Sequence, residues 1–181
     1  RRTNLDGRAL AACRKLAPRL DALSGERVAG EVLRLLLAED PATVLLAMHA
    51  NGILGHLLPD AQNFGRLRVL SWLESRGLAR DEVRPDSIRR LAAMLTTTRQ
   101  GAEAVGERLK LSGVQTRRLM AMAEPRVQLR HDLDAATTRR ALRHIGGAEF
   151  RDLALLAWAE RRSLEARPST RESRAWTGLL D

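Results

Sequence analysis

The sequence predicts an all-α fold, an array of about nine short helices. Composition is the first sign. Of 181 residues, 32 are Leu and 27 Ala, against 8 Val, 3 Ile and 10 Thr. Leu and Ala lose little entropy in a helix, whereas β-branched residues favour strands. The second sign is punctuation, because cap residues, Pro and Gly recur at helical intervals. The third is the lack of apolar–polar alternation anywhere in the chain, together with the lack of any fixed repeat or low-complexity tract.

The helices follow in order. Asp6 is placed to cap a first helix running to about Lys15. Ser24 opens a second, whose Val28, Val32, Leu35 and Leu36 fall on one stripe. Asp40-Pro41 reads as an N-cap followed by proline at the first helical position, and Gly52 closes that helix. Leu54, Leu57 and Leu58 form a short apolar turn before Pro59. Leu67, Leu70 and Leu73 mark a helix stopped at Gly77.

The second half continues the pattern. Pro85-Asp86 precedes Ile88, Leu91, Ala92 and Leu95 at three-four spacing. Ala102, Val105 and Leu109 follow, and then Ser112 caps a helix holding Leu119, Met122 and Ala123. Asp134 starts a helix through Leu142 and Ile145 that Gly146-Gly147 breaks. Phe150, Leu153, Leu156 and Ala157 make the last strong amphipathic helix. Residues 167–170 read as a linker to a short terminal helix around Trp176.

Charge points to a polyanion. The net charge is +9, with 31 basic residues of which Lys15 and Lys110 alone are lysine. Arg grips phosphate bidentately, and the excess is spread along the chain rather than gathered in a tail. Four sets stand out: Arg89-Arg90, Arg117-Arg118, Arg139-Arg140 with Arg143, and Arg161-Arg162. Each is expected on the polar side of its helix, and Arg139 and Arg143 share a face. Lys110 joins Arg89, Arg90, Arg117, Arg118, Arg139, Arg140 and Arg143 as a candidate RNA contact. Aromatics are few (Phe64, Phe150, Trp72, Trp158 and Trp176, with no Tyr), which argues against modules that bind single strands by stacking bases on aromatic platforms.

Other chemistries find little support. A single cysteine, Cys13, excludes an internal disulfide and a cysteine-based zinc site, and its helical neighbours Ala9, Leu10 and Leu16 predict a buried thiol. His131-Asp132 lacks the partner ligands that a His-Asp metal centre requires. Neither a nucleophile elbow nor a P-loop occurs. No apolar run is long enough to span a bilayer, and no secretory signal is evident, so a reducing cytoplasm is expected.

One segment carries a resemblance. Leu23-Ser24-Gly25-Glu26-Arg27-Val28-Ala29-Gly30-Glu31-Val32-Leu33-Arg34-Leu35-Leu36 resembles a neck motif of class II tRNA nucleotidyltransferases and bacterial poly(A) polymerases. Ser24 is expected to cap the helix, Glu26 to favour its positive end, and Arg27 and Glu31 to form an i, i+4 ion pair. The likeness runs on through Met48–Leu54, Leu57-Leu58-Pro59, Arg90–Leu95, Arg108–Ser112 and Ala148–Ala159.

The resemblance implies that residues 1–40 are the end of a neck domain, 41–166 an RNA-holding body, and 167–181 a linker and the start of a tail. In that family the chemistry belongs to an N-terminal head, whose Gly-Ser loop and Asp-x-Asp pair hold Mg²⁺ and ATP or CTP. Neither a Gly-Ser loop leading to such a pair nor the base-selecting Glu-Asp-x-x-Arg occurs here. The chain begins Arg1-Arg2-Thr3 and is expected to be part of something longer. The resemblance therefore implies no catalytic residue, no bound cofactor and no transferase activity for this chain alone. The neck motif residues Ser24, Glu26, Arg27 and Glu31 take a structural role. The implied partners are tRNA, or other RNA 3′ ends, and the chain's own head.

Overall fold

The computed structural model describes residues 6–78, 83–165 and 169–180. Among these the fold is all-α, with nine α-helices and no β-sheet. They are α1 (Gly7–Leu16), α2 (Gly25–Leu36), α3 (Pro41–Ala50), α4 (Phe64–Trp72), α5 (Ser87–Met94), α6 (Arg99–Arg108), α7 (Gly113–Ala123), α8 (Ala135–Leu164) and α9 (Thr170–Leu179). Short 3₁₀ turns lie at Ala17–Ala22 and Leu54–His56, and one π turn, Leu73–Gly77, extends α4.

The helix starts follow from side chains that satisfy orphan backbone donors. Asp6, Asp40, Asn63, Asp86, Thr98, Ser112 and Asp134 each accept a backbone N–H of the first turn. At α7 the exchange is reciprocal, since the Gln115 side chain also accepts the Ser112 N–H at 3.0 Å. Ser24 stands at the N-cap of α2 as expected, but its hydroxyl makes no capping bond.

α4 and α5 form the centre. α4 packs against α3, α5 and α8, while α5 also meets α2 and α7, and α6 packs against α7. Leu36, Leu45, Leu67, Leu70, Leu91, Met94, Leu109 and Leu119 are all sealed from solvent. A short backbone crossing ties the two halves of the chain together. Gln62 and Asn63 donate to the Met94 carbonyl, and Thr96 donates to that of Asp60.

α8 is continuous in outline but broken at Gly146, whose φ of 79° and ψ of 161° suit glycine alone. The expected break therefore falls where the Gly pair stands. The second half carries Phe150, Asp152, Leu153 and Trp158 into the core, and α9 stacks Trp176 on Trp158 with ring centroids 6.4 Å apart. Of the linker expected over 167–170, Arg167 and Pro168 lie outside the described residues, and Ser169 begins the approach to α9.

α1 differs from the rest. None of its residues is buried, and Cys13 is exposed. The expectation of a buried thiol fails because the helix packs chiefly on the adjoining 3₁₀ turn, which leaves Cys13 uncovered among the described residues.

Candidate nucleic-acid interface

The basic residues fall into two populations. The first is internal. Arg90 is fully buried and Arg89 is 4 % exposed, so the expectation that this pair lies on a polar face is corrected. Arg89 Nε donates to Glu74 at 2.7 Å and its Nη1 to Asp152 at 3.1 Å. Arg90 Nε donates to the other Glu74 oxygen at 2.6 Å, and its Nη1 donates to the carbonyls of Leu36 and Ala38. Arg90 thus satisfies the open end of α2 from inside α5. Arg66 does the same for α5, donating to the carbonyls of Ala92, Ala93 and Leu95 while pairing with Glu160.

Arg118 extends this network to the surface. It bridges both oxygens of Asp152, at 2.7 and 2.9 Å, and one of Asp86 at 2.8 Å. The Asp152 bonds, with those of Asp86, raise the affinity of its guanidinium for its proton against the effect of burial. Burial pushes the Asp86 carboxyl up, but the Arg89 N–H and Arg118 outweigh it and hold Asp86 below the usual carboxylate range. At Glu74 burial prevails over both arginines, and its carboxyl is raised. Arg118 is therefore a half-buried clamp rather than an open phosphate contact.

The second population is free. Lys110, Arg117, Arg139, Arg140 and Arg143 are all exposed, and among the described residues none has a carboxylate partner. Arg139, Arg140 and Arg143 share the first half of α8, ahead of the Gly146 break. Lys110 sits in the turn between α6 and α7 with φ of 50°, a left-handed conformation for a non-glycine residue. Of the remaining pair, Arg161 is held by Glu165 and Glu172, while Arg162 lies over the Trp72 ring at 4.4 Å.

The neck motif is partly rearranged. Ser24, Glu26, Arg27 and Glu31 are exposed, and Glu26 lies in the first turn of α2. Glu31 pairs with Arg34 at 3.2 Å rather than with Arg27. That leaves Arg27 without an acidic partner among the described residues. Gly25 is the motif residue that packing demands, since a Cβ there would run into the Arg108 carbonyl and the Lys110 side chain. Sequence reading passed over it, although a glycine at the first position of a helix is a recognisable sign of close approach. It also passed over Arg8, Arg14, Lys15 and Arg19, which stand exposed on α1 and the adjoining turn. The modest net charge of that stretch hid them.

No described His, Cys, Asp and Glu residues gather into a group able to hold a metal ion, and no described helix is long and apolar enough to cross a membrane.

Lys110, Arg117, Arg139, Arg140 and Arg143 thus leave their charges open to solvent. Residues 4–64 match the family described as "Probable RNA and SrmB- binding site of polymerase A". The match supports an RNA-binding region of the poly(A) polymerase kind in this part of the chain, with RNA as its partner. The matched span takes in α1, α2 and α3, and so includes Ser24, Glu26, Arg27 and Glu31 but none of the candidate contacts from Arg89 onward. Neither the curated proteins nor the solved structures gave a match.

Proposed function

We propose that this chain is the RNA-holding helical part of a nucleotidyltransferase that extends RNA 3′ ends, and that its RNA is tRNA presented for CCA addition. The observation that carries the reading is the RNA-binding family match over residues 4–64, on a span whose Arg8, Arg14, Lys15, Arg19 and Arg27 all face solvent. Residues 1–40 then close a neck, 41–166 form the body and 167–181 lead to a tail. The ordered resemblance along the chain supports tRNA as the substrate.

The role is positional. Folded RNA is recognised largely by shape and by contacts to its phosphates and 2′-hydroxyls, which suits a basic helical surface with few aromatics. Holding an acceptor end in register converts a bimolecular attack into an effectively intramolecular one. Nucleotide and metal chemistry belong to a head outside this chain, and no step is assigned to them here. A second reading, the same region of a poly(A) polymerase acting on general RNA ends, is favoured by the polymerase A family that residues 4–64 match.

The test is binding of tRNA that ends before its CCA, in competition with an unstructured RNA of equal length, over a salt series. A phosphate-tracking surface loses affinity along a straight log–log line, with a slope of about 0.7–0.9 per contact. Preference for the tRNA supports the CCA reading, and preference for the unstructured RNA moves it to poly(A) synthesis. Affinity that ignores salt would leave a helical interaction scaffold in place of an RNA binder.

A further inference from the structure

The aromatic residues divide as sharply as the arginines. Phe64, Phe150, Trp158 and Trp176 are buried, whereas Trp72, at the end of α4, is 42 % exposed. Exposing an indole forgoes a large hydrophobic gain, so its surroundings are informative. They are cationic. Arg68, Trp72 and Arg76 follow one another at intervals of four along α4 and its π turn, which sets the three side chains on one side. The Arg162 guanidinium, from α8, lies 4.4 Å from the ring centroid.

Trp72 also lines a cavity of about 230 Å³ with Arg68, Ser71 and Arg76, closed opposite by Glu39 and Asp40 from the turn between α2 and α3. That is below the roughly 300–1,000 Å³ of sites for drug-sized ligands and suits a smaller group. The hydroxyl of Ser71 in its wall is buried and has no hydrogen-bond partner. Arg76 pairs with Glu39, while Arg68 is exposed and has no acidic partner among the described residues. Gly77 lies so close to the six-membered ring that any side chain there would collide with it, which fixes the indole in place.

We propose that this cleft is a stacking site for one unpaired nucleotide of single-stranded RNA, with its base against the Trp72 indole and its phosphate on Arg68. The inference rests on the RNA-binding reading and adds a base contact to a surface otherwise made of phosphate contacts. Every base has a π-face, so a lone ring serves any sequence and adds affinity without reading it. The Arg162 guanidinium already over the indole marks the negative face of the ring, and its own plane is a further surface on which a base can stack.

Tryptophan emission tests this directly, since Trp158 and Trp176 are buried. The chain is titrated with a short oligoadenylate at low salt while binding is followed independently by anisotropy of a labelled strand. Stacking on Trp72 quenches emission saturably, in step with the anisotropy. Trp72→Leu removes the quench and weakens binding about 5-fold to 100-fold, the range seen when a stacking ring is lost. Arg68→Glu, at an exposed position that leaves the ring intact, weakens quench and binding together and guards against misfolding of the Trp72 variant. Binding by anisotropy that leaves emission unchanged overturns the stacking site and leaves RNA binding standing. Failure of both oligoadenylate and tRNA to bind at low salt overturns the RNA reading and this site with it.

Discussion

The interior around α4 and α5 and the first half of α8 use the same side chain for opposite ends. In the interior, Arg66, Arg89 and Arg90 are tied to carboxylates and to helix-end carbonyls. On α8, Arg139, Arg140 and Arg143 are exposed, with no acidic partner among the described residues. A guanidinium offers five donors in a planar fork, so it can close several carbonyls and a carboxylate at once, or leave the same donors open for phosphate. The difference teaches that a count of arginines overstates the charge available to a ligand. The internal set is neutralised by Glu74, Asp152 and Glu160, and the charge left open to a ligand is that of the free set.

The contrast breaks hardest at Arg90. Arg90→Ala leaves Glu74 short of a partner and the end of α2 open, and should cost about 3–5 kcal/mol of unfolding free energy in a denaturant titration. A loss below about 1 kcal/mol, the level of an exposed ion pair, would show that the buried pair is not structural.

Reversal of Arg139, Arg140 and Arg143 to Glu should do the opposite. Stability should shift by no more than about 0.5 kcal/mol per site. RNA affinity should fall roughly tenfold or more at low salt, and the salt slope should flatten by about 0.7–0.9 for each contact removed. An unchanged slope would move the RNA to another face, with the cations of α1 as the next to reverse.

The smallest effect sharpens the account of helix ends. Ser112→Ala removes a reciprocal cap and should cost about 1 kcal/mol. Ser24→Ala removes a hydroxyl without a capping bond and should stay within about 0.5 kcal/mol. Equal losses at the two sites would mean that the Ser24 hydroxyl does cap α2 in solution.

Local features were the legible ones. Asp6, Asp40, Asp86, Ser112 and Asp134 announced their helices because a cap acts within two or three residues of its own position. Gly146 announced the break in α8 for the same reason. The partners of Arg89 were not legible, since Glu74 and Asp152 stand 15 and 63 residues away. A hint was present in α5, where every residue from Ile88 to Met94 is buried. A short helix flanked by apolar residues on all sides is interior, and charged residues within it must be paired there. The exposed Cys13 was misjudged because a helical stripe shows which side is apolar, not whether anything covers it. Trp72 carried no such sign, because its neighbours Leu70 and Leu73 are core residues and its own exposure depends on the cleft beside it.

The break at Gly146 has a geometric corollary. A continuous helix locks the azimuth of every side chain to that of every other, at about 100° per residue. At Gly146 that phase is lost and restarts, so the bearing of Arg139, Arg140 and Arg143 is independent of the bearing of Asp152 and Trp158. One residue inserted ahead of the break would leave the half after it in register but swing the three cations around the axis together with Ala141, which is 5 % exposed and packs in the core. The aim of the three cations is therefore held by Ala141 on their own half-helix and not by the phase of the half that carries Asp152 and Trp158.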